Sequence, residues 1–361
     1  MFVGHEFLAF ALVGWGAHRV GVDNRDALRL GGVAALAALL PDLDVAYAAA
    51  TYAVAVAGGE PLGWETFWGV ANGVHRVVTH PLPVGVVAAL VFVAAATVAR
   101  ARSRVPSHDP GTSRVPSDIR RDALDTVFVT VFATIGVAIL LAAFWRVAGR
   151  IPASVAAAFL LVVGVVGALV GRLSDASTVS LAVAASVGFL THPLGDVFLA
   201  VPPPLLSPFG PPLLTERVGL ATDPTVEILA VLFVELTAVW LGVGVASRLT
   251  MSGFAGVGDG SGELRSVVDT RSAAGVAYGA AVFVLPRPTI ADAHLLGFTI
   301  VPLAIAVGVW TGRSNGRRMT PTAARSLGAK RRHGVGTAFV TGLTTLTLAA
   351  VAYFLVYLLV A

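Results

Sequence analysis

Val179-Ser180-Leu181-Ala182-Val183-Ala184-Ala185-Ser186-Val187-Gly188-Phe189-Leu190-Thr191-His192-Pro193-Leu194-Gly195-Asp196 is the stretch whose reading decides the fold class. Its first twelve residues carry no charge and read as membrane helix. It then ends on a histidine and an aspartate four positions apart. On a helix that spacing puts both side chains on one face, about 6 Å apart, where they can share one metal ion. Ionisable groups inside a bilayer are costly, so a pair at the end of such a run points to function. The bland alternative is a buried histidine bonded to a carbonyl, with Asp196 at the water boundary. Pro193 between them is tolerated if a new helical turn starts there, with Thr191 as its cap.

The rest of the chain agrees with a membrane reading. Of its 361 residues, 56% are hydrophobic and 13% charged, against about 25% charged in a soluble domain. Mean hydropathy is +0.82. There are no cysteines, so any metal must be held by nitrogen and oxygen. The basic residues sit in short loops between apolar runs, which argues against a nucleic-acid partner. The expected partner is the lipid bilayer.

Apolar runs long enough to cross or enter a bilayer, which takes ~20 residues, occupy 5–21, 30–57, 81–99, 123–148, 153–171, 176–201, 225–247, 273–286, 292–311 and 334–361. The first and eighth are short, and re-entrant segments are an alternative there. Pro41 removes a backbone donor within the second run and breaks or kinks it. The expected fold is therefore all-α: a polytopic transmembrane helical bundle of about eight to ten membrane segments. Ser-Arg-Val-Pro-Ser occurs at 103–107 and again at 113–117, the mark of a flexible loop. Gly-rich 252–272 reads as a linker, since no strand precedes it as a phosphate loop requires. Pro-rich 202–224 cannot be helical and is expected to fold back over the membrane surface.

Basic residues set the orientation. Segments 19–29, 100–122, 172, 248–271 and 313–332 hold 20 of the 25 basic residues and define the cytoplasmic side. The opposite, extracytoplasmic side then receives His5, the end of the broken second run, His80, and His192 with Asp196. The histidines took no part in that count, so their agreement is a partial independent check.

Asp42 and Asp44 are the hardest residues to explain as structure. A carboxylate at mid-bilayer costs ~2.5–3.5 kcal/mol. Two residues apart on a helix, they would point about 200° away from one another. Either Pro41 unwinds the segment so that both converge, or only one is a ligand. His75 and His80 are about 140° apart if helical, and converge more readily in a loop ending at Pro81. Arg76 between them suits an anionic substrate group. Interfacial histidines with a snorkelling arginine are the alternative.

In order, the motifs are Gly4-His5, Leu40-Pro41-Asp42-Leu43-Asp44, His75-Arg76-Val77-Val78-Thr79-His80 and Thr191-His192-Pro193-Leu194-Gly195-Asp196, with a Pro-rich stretch after the last. This order resembles the family of membrane-bound, metal-dependent hydrolases of bacteria and archaea, which includes an SOS-regulated inner-membrane protein. The resemblance covers residues 1–215. It leaves 225–361 outside, as an added set of C-terminal transmembrane helices. Where the family has serine after Thr-His, this chain has Pro81, so any role of that hydroxyl is lost. The resemblance implies a phospholipase C-like zinc site and a hydrolase, without specifying the substrate.

The residues and the resemblance lead to one expectation. His5, Asp42, Asp44, His75, His80, His192 and Asp196 would hold one or two divalent ions, with Zn2+ expected. Metal-activated water would attack an ester or phosphodiester, lipid-borne or otherwise. The expected catalytic groups are Asp42 and Arg76, with an unliganded Asp or His as base and Arg76 on the anion. The protein would be a multi-pass plasma-membrane protein with its site toward the extracytoplasmic face. A different class of function, an ion- or proton-coupled transporter or channel lined by the same residues, predicts polar groups at every depth of the bilayer. Here they gather on one side. A structural scaffold with a vestigial site is a third reading.

Overall fold

The computed structural model describes residues 3–74, 76–103, 117–198, 201–251, 268–290, 292–318 and 327–361. The chain is an all-α, polytopic helical bundle, with no strand among the described residues. Its α-helices are α1 (Gly4–Arg19), α2 (Asn24–Leu39), α3 (Val45–Ala57), α4 (Trp64–Val74), α5 (Leu82–Ser103), α6 (Ser117–Val147), α7 (Arg150–Leu173), α8 (Thr178–Gly195), α9 (Pro224–Met251), α10 (His294–Arg318) and α11 (Leu327–Val360). Three 3₁₀ segments join them at Leu40–Asp44, Asp196–Phe198 and Thr270–Phe283.

Among the described residues, eight helical stretches are long and apolar enough to cross a membrane. α1, with 16 residues, falls short of that length. The run expected at 273–286 is the 14-residue 3₁₀ segment Thr270–Phe283. The second run starts earlier than the expected residue 30, because Asp23 accepts from the backbone N–H of Arg25 and Asp26 and nucleates α2 at Asn24. The charges of 23–29 therefore form the first turns of a helix rather than a loop. Residues 104–116, with most of the duplicated Ser-Arg-Val-Pro-Ser, lie outside the described residues, as does 252–267 of the expected linker.

By its contacts the chain divides into two compact units. One comprises Met1–Val218 with Ala238–Thr250, the other Gly219–Thr237 with Met251–Ala361. Helix α9 thus gives its first half to the second unit and its second half to the first.

In the first unit, helices meet through small residues, as they do where lipid offers no hydrophobic drive to association. A Cβ at Gly167 or Gly171 of α7 would run into the backbone of Phe92 and Ala96 on α5. One at Gly188 of α8 would strike the Ala34 carbonyl and the Ala37 Cβ of α2. Phe92, Phe144, Phe159, Phe189, Leu140 and Leu181 fill the space between. The outside is apolar too. On α6, Leu124, Val127, Phe128, Val131, Ile135 and Ile139 recur at helical spacing and are exposed, which is a lipid-facing stripe.

Pro193 does not begin a new helix. It lies inside α8, and Thr191 does not cap: its hydroxyl donates back to the Val187 carbonyl. Pro193 offers no N–H to the Phe189 carbonyl, and Gly85 of α5 comes close to that oxygen. After Asp196–Phe198 the proline-rich segment is irregular, as expected, and folds back. Leu82 N–H donates to the Leu205 carbonyl at 2.9 Å, and Val218 N–H to the Val197 carbonyl at 2.8 Å.

In the second unit, α11 turns a continuous face inward: Thr337, Thr341, Thr345, Ala349, Tyr353 and Tyr357 are all buried. The 3₁₀ segment Thr270–Phe283 lies against it, with Gly275 at the Thr345 carbonyl. Asp223 caps α9 through the N–H groups of Thr225 and Val226 and accepts from the Tyr357 hydroxyl.

Candidate metal centre

The ends of four helices of the first unit converge. They are the start of α1 with His5, the turn after α2 with Asp42 and Asp44, the turn before α5 with Arg76, Thr79 and His80, and the end of α8 with His192 and Asp196. The opposite ends of α1, α2 and α5 carry Arg19, Arg25, Arg29, Arg100 and Arg102. Fold contacts explain why the ends meet. The close approach at Gly188 holds α8 on α2 one turn before His192, and Gly85 holds α5 on α8 one turn after His80.

The donor atoms lie close together. His80 Nε2 is 2.9 Å from His192 Nε2, 3.1 Å from Asp196 Oδ2 and 3.5 Å from Asp42 Oδ1. His192 Nε2 is also 3.5 Å from Asp42 Oδ1, and His5 Nε2 is 3.4 Å from Asp196 Oδ1. The His5 and His80 rings flank His192 at 4.3 and 4.5 Å between centroids. Two overlapping groups could each hold an ion: His5, Asp42 and His192, and His80, His192 and Asp196. A tetrahedral ion with ligand bonds of ~2.0–2.1 Å separates its ligand atoms by about 3.3 Å. The donor pairs just named, at 2.9–3.5 Å, are near that spacing, and all the donors of each group lie within 4.8 Å of one another.

Asp42 and Asp44 separate because Pro41 sits in a 3₁₀ turn, Leu40–Asp44, rather than in continuous α-helix. Asp42 faces the imidazoles. Asp44 turns to the other motif: its Oδ2 accepts from the Arg76 N–H at 2.9 Å and from the Thr79 hydroxyl at 2.6 Å. Among the described residues Asp44, expected as a ligand, joins neither ion-holding group; its Oδ2 is 3.8 Å from His80 Nδ1. It fixes the turn instead. Arg76 has φ 71°, a left-handed conformation rare outside glycine, and its amide is the one Asp44 holds. His75 lies outside the described residues.

Thr79 is the residue whose part sequence reasoning missed. Its hydroxyl hydrogen goes to the carboxylate of Asp44, which can only accept. Toward His80 Nδ1, at 2.8 Å, the same oxygen must therefore act as acceptor. That assigns the proton of His80 to Nδ1 and leaves the Nε2 lone pair facing the centre, as a metal ligand requires. The only signal was its place in the motif, directly before His80.

No family model, no curated protein and no solved structure matches this chain. The functional reading therefore rests on the geometry. His5, His80, His192, Asp44 and Asp196 are buried. The Asp42 side chain is 27% exposed and that of Arg76, whose Nε is 3.2 Å from Asp196 Oδ2, is 16% exposed. So the centre is closed on the side of the helices and open where Asp42 and Arg76 stand. Buried carboxylates need hydrogen bonds or a positive charge beside them, and Arg76, an imidazolium or a bound cation would each supply one here. This buried His/Asp group could hold a metal ion.

Proposed function

We propose that the chain is an integral-membrane, metal-dependent hydrolase acting on an ester or phosphodiester. The observation that carries this is the set of imidazole and carboxylate donors 2.9–3.5 Å apart at one end of the first unit. The order of motifs supports membership of the membrane-bound metal-dependent hydrolases that they resemble.

Nitrogen and oxygen donors with two or more imidazoles suit zinc among the common divalent ions. Such an ion, when bound, activates water and polarises an ester or phosphoryl oxygen. The chain's own residues supply the rest. His80, His192 and Asp196 would hold the ion, with His5, Asp42 and His192 as the overlapping second group. Thr79 and Asp44 keep the His80 lone pair aimed at it. Asp42, on the open side, is placed to take the proton of an attacking water. Arg76 brings a positive charge to the same opening for an anionic substrate oxygen. The excess of basic residues at the other helix ends supports an extracytoplasmic site in the plasma membrane.

Elemental analysis of the detergent-purified protein tests the reading. A divalent ion in stoichiometric amount is expected, with loss of both ion and phosphodiester hydrolysis in His192→Ala/Asp196→Ala. A full-length, folded protein that carries no ion, or a double variant that keeps its ion, removes the proposal.

A further inference from the structure

The two turns that build the centre are joined by a helical hairpin, α3 and α4, that plays no part in the hydrolytic chemistry. It leaves from Asp44 and returns to Arg76, and the bond between Arg76 N–H and Asp44 closes its base at 2.9 Å. Both its ends are therefore at the level of the centre, and it adds no crossing of its own.

The hairpin is held mainly by itself. Tyr52 packs edge-on against Phe67 at 5.5 Å, Trp64 and Trp68 pack on the same Phe67 at 5.9 and 5.0 Å, and the Tyr52 hydroxyl accepts from Gly63 N–H. Of its described side chains only Ala48 and Ala71 are buried. The exposed remainder is almost wholly uncharged and largely apolar. Between 45 and 74 the only charged residues are Glu60 and Glu65, while Val54 is 73% and Leu62 81% exposed.

Lengths decide what covers it. α3 has 13 residues and α4 has 11, and neither reaches the ~20 needed to span. The stretch Asn24–Ala57, α2 and α3 with the 3₁₀ turn between them, has 34 residues, against the ~20 that cross a hydrocarbon core of ~30 Å. The charged first turns of α2, to Arg29, do not count toward it, so the apolar part from Leu30 to Leu39 brings the chain to Asp42 about 15 Å into that core. From there α3, about 20 Å long, is sufficient to carry the tip of the hairpin outward to the interfacial layer. Tyrosine and tryptophan on an otherwise apolar element are the side chains that prefer that layer.

We propose that the α3–α4 hairpin is an interfacial arm, seated among lipid headgroups through Trp64, Phe67 and Trp68, and that it presents the open side of the centre to the headgroup layer. The substrate it selects is an ester or phosphodiester of a membrane lipid. This second statement rests on the hydrolase reading; the first does not.

Tryptophan quenching tests the arm without reference to catalysis. The full chain, with Trp15, Trp145, Trp240 and Trp310 changed to phenylalanine, is reconstituted in phosphatidylcholine vesicles. Quenching of Trp64 and Trp68 by a headgroup spin label is expected to exceed both quenching by a chain-end label and quenching by aqueous iodide. Strongest quenching at the chain end, or by iodide alone, overturns the arm, the latter pointing to a water-facing or protein-docking hairpin.

Substrate class is tested with Trp64→Ser/Phe67→Ser/Trp68→Ser, or with Trp64→Phe/Trp68→Leu should the triple variant lose its ion. Hydrolysis of a vesicle-resident phospholipid is expected to fall by about tenfold or more, as interfacial apolar contacts are lost, with a far smaller change for bis(4-nitrophenyl) phosphate in solution. Equal losses on both, or wild-type activity on the soluble ester alone, overturn the lipid assignment. Inactivity of the wild type on both counts against the hydrolase reading, and the quenching result still decides the arm.

Discussion

At the scale of single residues, the centre depends on a short relay behind it. Thr79 carries the orientation of His80 to Asp44, so its hydroxyl should matter to metal affinity although it cannot reach the ion. Thr79→Val is expected to weaken the ion's binding by ~10–100-fold, the usual effect of removing a partner behind a metal ligand. Thr79→Ser should restore most of it, and a chelator competition on both variants measures the difference. Asp44 holds two groups at once, one of them the amide of a left-handed arginine. Such a backbone costs on the order of 1–3 kcal/mol and persists only where the surroundings enforce it. Asp44→Ala should therefore release the ion and also lower thermal stability, where a simple ligand loss would affect binding alone. The sequence made the imidazoles and carboxylates legible, because each is expensive in an apolar run. It did not divide the labour of Asp42 and Asp44, since that depends on the 3₁₀ turn at Pro41 and on a partner 35 positions away.

Among the elements, the positions without a side chain decide the geometry. Gly188 lets α8 lie on the Ala34 carbonyl, and His192 comes one turn later. Gly188→Val should force the two helices apart, at about 1–3 kcal/mol or more for an overpacked contact, and should loosen the ion with it. Loss of melting temperature together with loss of bound metal is the expected result; intact metal binding would show that the contact does not place His192. In the second unit, the cap of α9 is electrostatic. The backbone N–H of Val226 holds the Asp223 carboxyl below the usual carboxylate range, against desolvation and with help from the Tyr357 hydroxyl, the Thr225 N–H and the charge of Arg287. A carboxyl with a lowered folded-state pKa contributes stability above its unfolded value of ~3.9 and loses it as pH falls through the lower, folded value. Asp223→Asn should accordingly melt below the wild type at pH 7, and the gap should close in strong acid. Helix existence was readable from apolar run lengths. Helix ends were less so: Asp23 started α2 inside a charged segment, and Pro193 was absorbed because a neighbouring glycine sits beside the carbonyl it leaves over.

For the molecule as a whole, the absence of cysteine from the sequence makes single introduced cysteines clean reporters. Glu60→Cys, in the loop of the hairpin, should react with a membrane-impermeant maleimide in intact cells. Arg172→Cys, at the far end of α7, should react only after the membrane is opened. The reverse pattern would place the centre on the cytoplasmic side and remove the orientation argued from the basic residues.

Composition and periodicity by themselves determined an all-α membrane bundle, because lipid solvent leaves a chain this apolar few other ways to satisfy its backbone. They also marked the costly side chains. Only the tertiary structure decided which of those face one point, which one stands behind as a brace, and that a threonine joins them. Such assignments depend on helix ends brought together by close small-residue contacts, and on one turn's departure from α-geometry, neither of which has a period to read along the chain.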